Sequence, residues 1–213
     1  MSDTTTNQVE IVLIRHGKTE GNKEKRYIGR TDQPLSEEGI AGIKEGLGRY
    51  PSVEKVYASP MKRTRQTAEL IYPGQTPDLI DGLREMDMGV FEGKNHAELK
   101  NRPSYILWVA TRGKTGIPEG ESMRDFGKRT MDALTQVLGD MQAEGIKKAA
   151  VVAHGGTIMS IVSQLADDDY YKYMVNNGAG FRLTLDGDGK LLDLKPLLKE
   201  DNCMQDALEE LED

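Results

Sequence analysis

The chain has 213 residues, 28 Lys+Arg against 35 Asp+Glu, three histidines and one cysteine, for a formal net charge of −7. That length suits one domain, or a core carrying an inserted cap, able to bury roughly 70% of the surface its unfolded chain exposes. The composition excludes a disulfide framework, since Cys203 has no partner, and it excludes a membrane-spanning segment, since no apolar run approaches ~20 residues.

In chain order, Ile11-Val12-Leu13-Ile14 is a short continuous apolar run, the pattern of a strand buried on both faces of a parallel sheet, and it stops at Arg15-His16-Gly17. Ser36 is placed to N-cap a helix carrying Ile40, Ile43 and Leu47, followed by a second strand from Val53 to Ala58. Ser59-Pro60 reads as the start of a helix with a serine cap and proline at the first helical position, which puts Arg63 in the first turn. A third run, Pro77 to Ile80, leads into Leu83-Arg84-Glu85. From about 91 to 118 the pattern is irregular around one aromatic-aliphatic stretch, Tyr105 to Val109, and predicts a small helical cap inserted over the core.

Ser122 and Asp125 form an S-x-x-D capping box for a helix with Met123, Phe126, Thr130, Leu134, Val137 and Met141 on one face. Ala149 to Ala153 is another buried strand, ending at His154-Gly155-Gly156, and a helix with Ile158, Ile161, Val162 and Leu165 follows. Phe181, Leu183 and Leu185 alternate, a turn falls at 186–189, and Leu191-Leu192 returns the chain. The fold class is therefore α/β: a three-layer α/β/α arrangement with a mostly parallel central sheet and an antiparallel edge.

Sites in open parallel sheets gather beyond the carboxyl ends of the strands. Two of the three histidines, His16 and His154, stand there, each straight after an apolar strand and straight before glycine. Segment 15–30 holds six bases against Glu20 and Glu24, with Gly17, Gly21, Asn22 and Gly29 giving the backbone freedom to wrap an anion. Arg63 and Gly155, near helix N-termini, add donors that favour negative charge. Together these predict a phosphate pocket with an imidazole nucleophile. Glu85 reads equally as an acid catalyst or as the salt-bridge partner of Arg84 or another arginine, and Asp87 is the alternative acid. His96, at the start of the cap, stays outside the site. Tyr105 and Trp108 either line a leaving-group pocket or form the cap's own core.

The bulk charge does not oppose an anionic ligand. Glu200, Asp201, Asp206, Glu209, Glu210, Glu212 and Asp213 lie in a stretch with no base, so residues 1–199 are neutral and 200–213 form an acidic tail. Met204, Ala207, Leu208 and Leu211 give that tail a weak helical stripe. A net acidic chain argues against broad nucleic-acid binding, and the polar start MSDTTTNQ with a single cysteine fits a reducing cytoplasm.

LIRHGKTEGN (13–22), YIGRTDQPLSEEG (27–39), SPMKRTRQTAELI (59–71), LREMDMGVFEG (83–93), PEGES (118–122) and VVAHGG (151–156) resemble, in order and spacing, the histidine phosphatase (phosphoglycerate-mutase-like) superfamily. The resemblance runs from about residue 9 to 195, making 1–199 a single catalytic domain. It implies that His16 is the phosphorylated histidine, with Arg15, Arg63 and His154 around the phosphoryl group. It implies Glu85 as proton donor and Asn22, Gly29 and the Gly155 backbone as substrate-binding groups.

His154, beside a phosphate dianion, is expected to be protonated. No metal or other cofactor is implied, because the histidines lack ligand-like spacing with Cys or carboxylates. The partner implied is a small phosphorylated substrate, with no nucleic acid or membrane. The short cap and PEGES resemble the phosphatase branch, which includes α-ribazole phosphatases and broad-specificity enzymes. Gly21 and Ile28 replace the tryptophan and threonine typical of the mutases. Lys100, Arg102 and Arg112 keep a mutase as the alternative, and a phospho-ligand binding module without turnover is the non-enzymatic one.

Overall fold

A computed structural model describes residues 8–198. The acidic tail and Cys203 lie outside these residues. The elements run β1 (Val9–Arg15), α1 (Glu20–Lys23), α2 (Glu37–Glu45), β2 (Lys55–Ala58), α3 (Lys62–Ile71), β3 (Asp78–Leu79), α4 (His96–Leu99), α5 (Pro103–Ala110), α6 (Met123–Glu144), β4 (Lys148–Ala153), α7 (Gly155–Ala166), β5 (Gly180–Leu185) and β6 (Leu191–Pro196), with short 3-10 turns between. Six strands form one sheet in the order β3-β2-β4-β1-β5-β6. The first four are mutually parallel, and β5 and β6 are antiparallel additions at one side.

Alternation along the strands divides the core between the two faces of the sheet. Ile11, Leu13 and Val151 pack with Leu134, Val137 and Met141 of α6 and Ile158, Ile161 and Val162 of α7. Val12, Ile14, Val56 and Val152 face the other way, onto Ile43 of α2 and Ala68 and Ile71 of α3. Burial on both faces is why the β1 and β4 sequences read as continuous apolar runs rather than alternating ones. A third cluster, Met86, Phe91, Leu99, Tyr105, Ile117 and Phe126, forms the core of the cap. The three-layer class holds, and among the described residues no helix is long and apolar enough to cross a membrane.

Four local expectations shift. Helix α2 stops at Glu45, so Leu47 falls in a 3-10 turn and is exposed. The second strand begins at Lys55, not Val53. Helix α3 begins at Lys62, with Met61 as an N-cap whose side chain makes no capping bond, and not at Ser59-Pro60. Asp32, from a distant loop, caps it instead by accepting the Lys62 N–H at 2.6 Å, while the Ser59 carbonyl accepts the Thr64 hydroxyl. At α6, Ser122 Oγ accepts the Asp125 N–H at 3.1 Å as expected, but the Asp125 carboxylate receives the Ser122 hydroxyl and the box is not reciprocal.

Candidate active site

Strand register assembles the site. Arg15 pairs with Ala153 across β1 and β4, and Ala58 with Val152 across β2 and β4. The next residues, His16, His154 and Ser59, therefore leave the carboxyl ends of three adjacent strands side by side. The two imidazoles meet edge-on with centroids 5.2 Å apart, both buried.

His16 Nδ1 lies 2.7 Å from the Gly17 carbonyl, which can only accept, so Nδ1 carries the hydrogen and Nε2 keeps its lone pair. Burial, reinforced by the Arg63 and Arg15 charges, holds this imidazole well below the ordinary histidine range. The loop behind it is fixed by the Gly17 N–H donating to Thr67 Oγ1 at 3.0 Å and by Asn177 Nδ2 donating to the His16 carbonyl at 2.9 Å. His16 thus presents a neutral, oriented ring whose Nε2 lone pair is available.

His154 accepts a hydrogen bond through Nδ1. Arg63 Nε, which can only donate, approaches His154 Nδ1 at 3.2 Å, so the hydrogen sits on Nε2 and points to Ser59 Oγ at 2.8 Å. Burial and then the Arg63 charge keep this ring neutral as well. Its Nδ1 holds the Arg63 guanidinium by that bond.

Arg63 is 1% exposed and makes three bonds: to His154, to the Thr31 carbonyl at 2.8 Å and to the Gly29 carbonyl at 2.9 Å. A guanidinium has five N–H groups, so two remain. Arg15 donates Nη1 to the Val175 carbonyl at 2.6 Å, and its buried Nε has no partner among the described residues. A Cβ added to Gly155 would stand 3.3 Å from that Nε, so the guanidinium lies against the start of α7.

The six bases of segment 15–30 do not converge as expected. Lys18 pairs with Glu38, Lys23 with Glu20, Arg26 with Glu24 and Glu98, and Arg30 with Asp87, all at the surface. Only Arg15 of that segment enters the site; its companion Arg63 comes from α3.

Glu85, partly buried, accepts the Met86 N–H through Oε1 and the Gly156 N–H through Oε2, both at 2.9 Å. A Cβ at Gly156 would overlap Glu85 Oε1, so this carboxyl docks on α7 because residue 156 is glycine. Burial raises its pKa, against the two N–H bonds and the arginine charges that lower it. Of the possible arginine partners, Arg84 instead pairs with Asp81, and among the described residues no arginine forms a salt bridge with Glu85. Asp87 takes the Gly89 N–H and Arg30, away from the histidines.

Of the substrate-binding candidates, Asn22 has its Oδ1 fixed by Thr19 at 3.1 Å in a capping box, leaving the Nδ2 amide without a protein partner among the described residues. The Gly29 N–H is taken by both Glu92 oxygens, so Gly29 reaches the site only through the carbonyl that holds Arg63. Tyr105 and Trp108 pack with Phe91 and Tyr27, and the Tyr105 hydroxyl bonds Tyr27 and His96. They are the core of the cap.

Sequence reasoning missed Ser59, Asn177 and Tyr170, whose hydroxyl meets the Gly156 carbonyl at 3.3 Å beside Glu85. Ser59 carries the strand-end signal that picks out both histidines; Tyr170, in a 3-10 turn, and Asn177, in a loop, have none. Among the described residues, no three His, Cys, Asp or Glu side chains are grouped to hold a metal ion.

The three-layer α/β fold carries two buried histidines at adjacent strand ends, with Arg15 from β1 and Arg63 from α3 beside them. The profile of the histidine phosphatase superfamily (branch 1) matches residues 11–195, and the chain belongs to that family, whose members are phosphatases or mutases. It is 32% identical over 163 residues to the protein named Probable phosphoglycerate mutase GpmB of Yersinia pestis (strain Pestoides F), covering 74% of each chain. The protein TTHB049 of Thermus thermophilus is 32% identical with a TM-score of 0.65, covering 87% of this chain and 98% of that one. The fold also matches the alpha-ribazole phosphatase of Shigella flexneri at a TM-score of 0.77 and 21% identity, over 87% of this chain and 95% of that one.

Proposed function

We propose that this protein is a phosphomonoesterase that hydrolyses a small phosphorylated metabolite through a phosphohistidine on His16. The observation that carries the reading is the unprotonated, uncommitted Nε2 of His16, held by the Nδ1 bond to Gly17 beside arginines with free donors. Nε2 attacks phosphorus and the phosphorus–oxygen bond to the alcohol breaks. Glu85 gives its proton to the departing alkoxide. Water then attacks the phosphohistidine, Glu85 takes the proton, and inorganic phosphate leaves with His16 restored.

Charge that stays on the equatorial oxygens is met by Arg15 Nε, the two remaining Arg63 N–H groups and the Gly155 N–H at the start of α7. Arginine suits this because its planar fork binds two oxygens at once. The Asn22 amide is a further donor. Glu85 suits the acid-base role because burial raises its pKa toward the range in which a carboxyl can both give and take a proton.

A mutase would return the phosphoryl group to another hydroxyl of the substrate; the 32% identical relative named as a phosphoglycerate mutase favours that second reading. Against it, Arg112, one of the three possible carboxylate ligands, is already paired with Asp169 at 2.9 Å and lies over the Tyr171 ring. A screen of phosphomonoesters that scores released phosphate and isomerised product separately decides between them. Phosphate without isomerisation is the expected outcome; isomerised product with negligible phosphate would establish the mutase. We place the reaction in a reducing cytoplasm, on the single cysteine, and recovery of the protein from an oxidising compartment by fractionation would contradict this.

A further inference from the structure

The PEGES segment has no part in the steps above, yet it lies against the loop that carries Glu85. The Pro118 carbonyl accepts the Val90 N–H at 3.0 Å, and the Glu121 N–H donates to the Asp87 carbonyl at 3.1 Å. A Cβ at Gly120 would overlap that same Asp87 carbonyl. Glu121 Oε2 also accepts the Asp87 N–H at 3.0 Å.

The Glu121 carboxylate grips Arg129 of α6 with two parallel bonds, Nε to Oε1 at 2.8 Å and Nη2 to Oε2 at 2.6 Å. The same guanidinium donates to the carbonyls of Gly82 at 2.9 Å, Arg84 at 3.0 Å and Glu85 at 3.3 Å. One ion pair therefore holds backbone groups on both sides of Glu85. Its side chains are only 26% and 22% exposed, whereas Lys128–Asp132 on the same helix is 76% and 63% exposed.

We propose that Glu121 and Arg129 are positioning residues for the proton donor: they lock the 82–87 backbone so that the Glu85 carboxyl meets the leaving oxygen. The inference rests on the Glu85 role proposed above. A bidentate arginine–carboxylate pair fixes direction as well as distance, and a donor displaced by about 1 Å can lose on the order of 10²-fold in rate.

The test compares Arg129→Lys, Glu121→Gln and Glu85→Gln on two probes. One is p-nitrophenyl phosphate, whose leaving group departs without a proton at neutral pH, and the other is a simple alkyl phosphate, whose leaving group needs one. Both positioning variants should lose at least about tenfold in kcat/KM on the alkyl ester but less than about threefold on the aryl ester, in the pattern of Glu85→Gln, because kcat/KM reports only the steps up to release of the alcohol, before Glu85 acts on water. Equal losses on both esters mean a merely structural role and overturn the inference, as does no loss on either. If Glu85→Gln itself shows no dependence on the leaving group, the Glu85 assignment falls and takes the inference with it. Thermal melts accompany each variant; should Arg129→Lys fail to fold, the near-isosteric Glu121→Gln decides.

Discussion

Two sets of basic side chains in this molecule behave in opposite ways. Lys18, Lys23, Arg26 and Arg30 lie within one stretch of sequence and each meets a carboxylate at the surface. Arg15 and Arg63 come from different elements and, among the described residues, bond only carbonyls and an imidazole, keeping N–H groups without a partner there. A surface pair contributes about 0–1 kcal/mol and is easily replaced. A buried guanidinium without a counter-ion has a desolvation cost that an anion would offset. What marks the site is therefore uncommitted charge at the end of the sheet, and local density of bases along the chain is a poor guide to it.

The sharpest break of that contrast is His16→Ala, which should cut phosphate release on the order of 10⁵-fold or more while leaving the fold intact. Glu85→Gln should cost about 10²- to 10⁴-fold in kcat on alkyl esters. It should also remove the alkaline limb of the kcat/KM profile, because that limb reports loss of the Glu85 proton. The acid limb should lie below the ordinary histidine range, since His16 is held low and stays nucleophilic as the pH falls. Arg15→Gln should lower kcat/KM about 10²- to 10³-fold and leave the melting temperature nearly unchanged, as only the bond to Val175 is lost. A Lys18→Gln or Lys23→Gln variant should stay within about twofold of the parent in activity and about 1 kcal/mol in stability. An equal effect from the surface and pocket substitutions would erase the distinction.

The buried histidines also make a stability prediction. Both have folded pKa values below the unfolded value of about 6.5, so between the two the unfolded chain binds more protons. Their neutral burial is fully tolerated above that value, and stability falls as the pH drops through it. Glu85 acts in the opposite sense: its folded value lies above 4.5, so it removes stability as the pH climbs past 4.5. Urea unfolding from pH 8 to 5 should show declining stability toward acid. A flat profile would contradict neutral burial of the imidazoles.

The strand ends are the most legible part of the site. An apolar run that stops at His-Gly states both the element and the place where its polar residue emerges, and register then brings His16 and His154 together without further information. Ser59 follows the same rule, but Ser-Pro is also a helix-start pattern and so reads as a cap. The cap supplied by Asp32, the bond between Arg63 and His154 and the grip of Arg129 on the Glu85 loop are not legible, because each joins residues far apart in sequence. The neutral state of His154 is equally hidden, since it depends on which neighbour donates to Nδ1.

The central claim is that His16 carries the phosphoryl group in turnover, and trapping that species tests it most directly. Rapid acid-free quenching of the protein with a phosphomonoester, followed by peptide mass spectrometry at alkaline pH, should find one phosphate on the peptide containing His16 and none in His16→Ala. Turnover with no phosphate on that peptide, or undiminished phosphate release by His16→Ala, would contradict it.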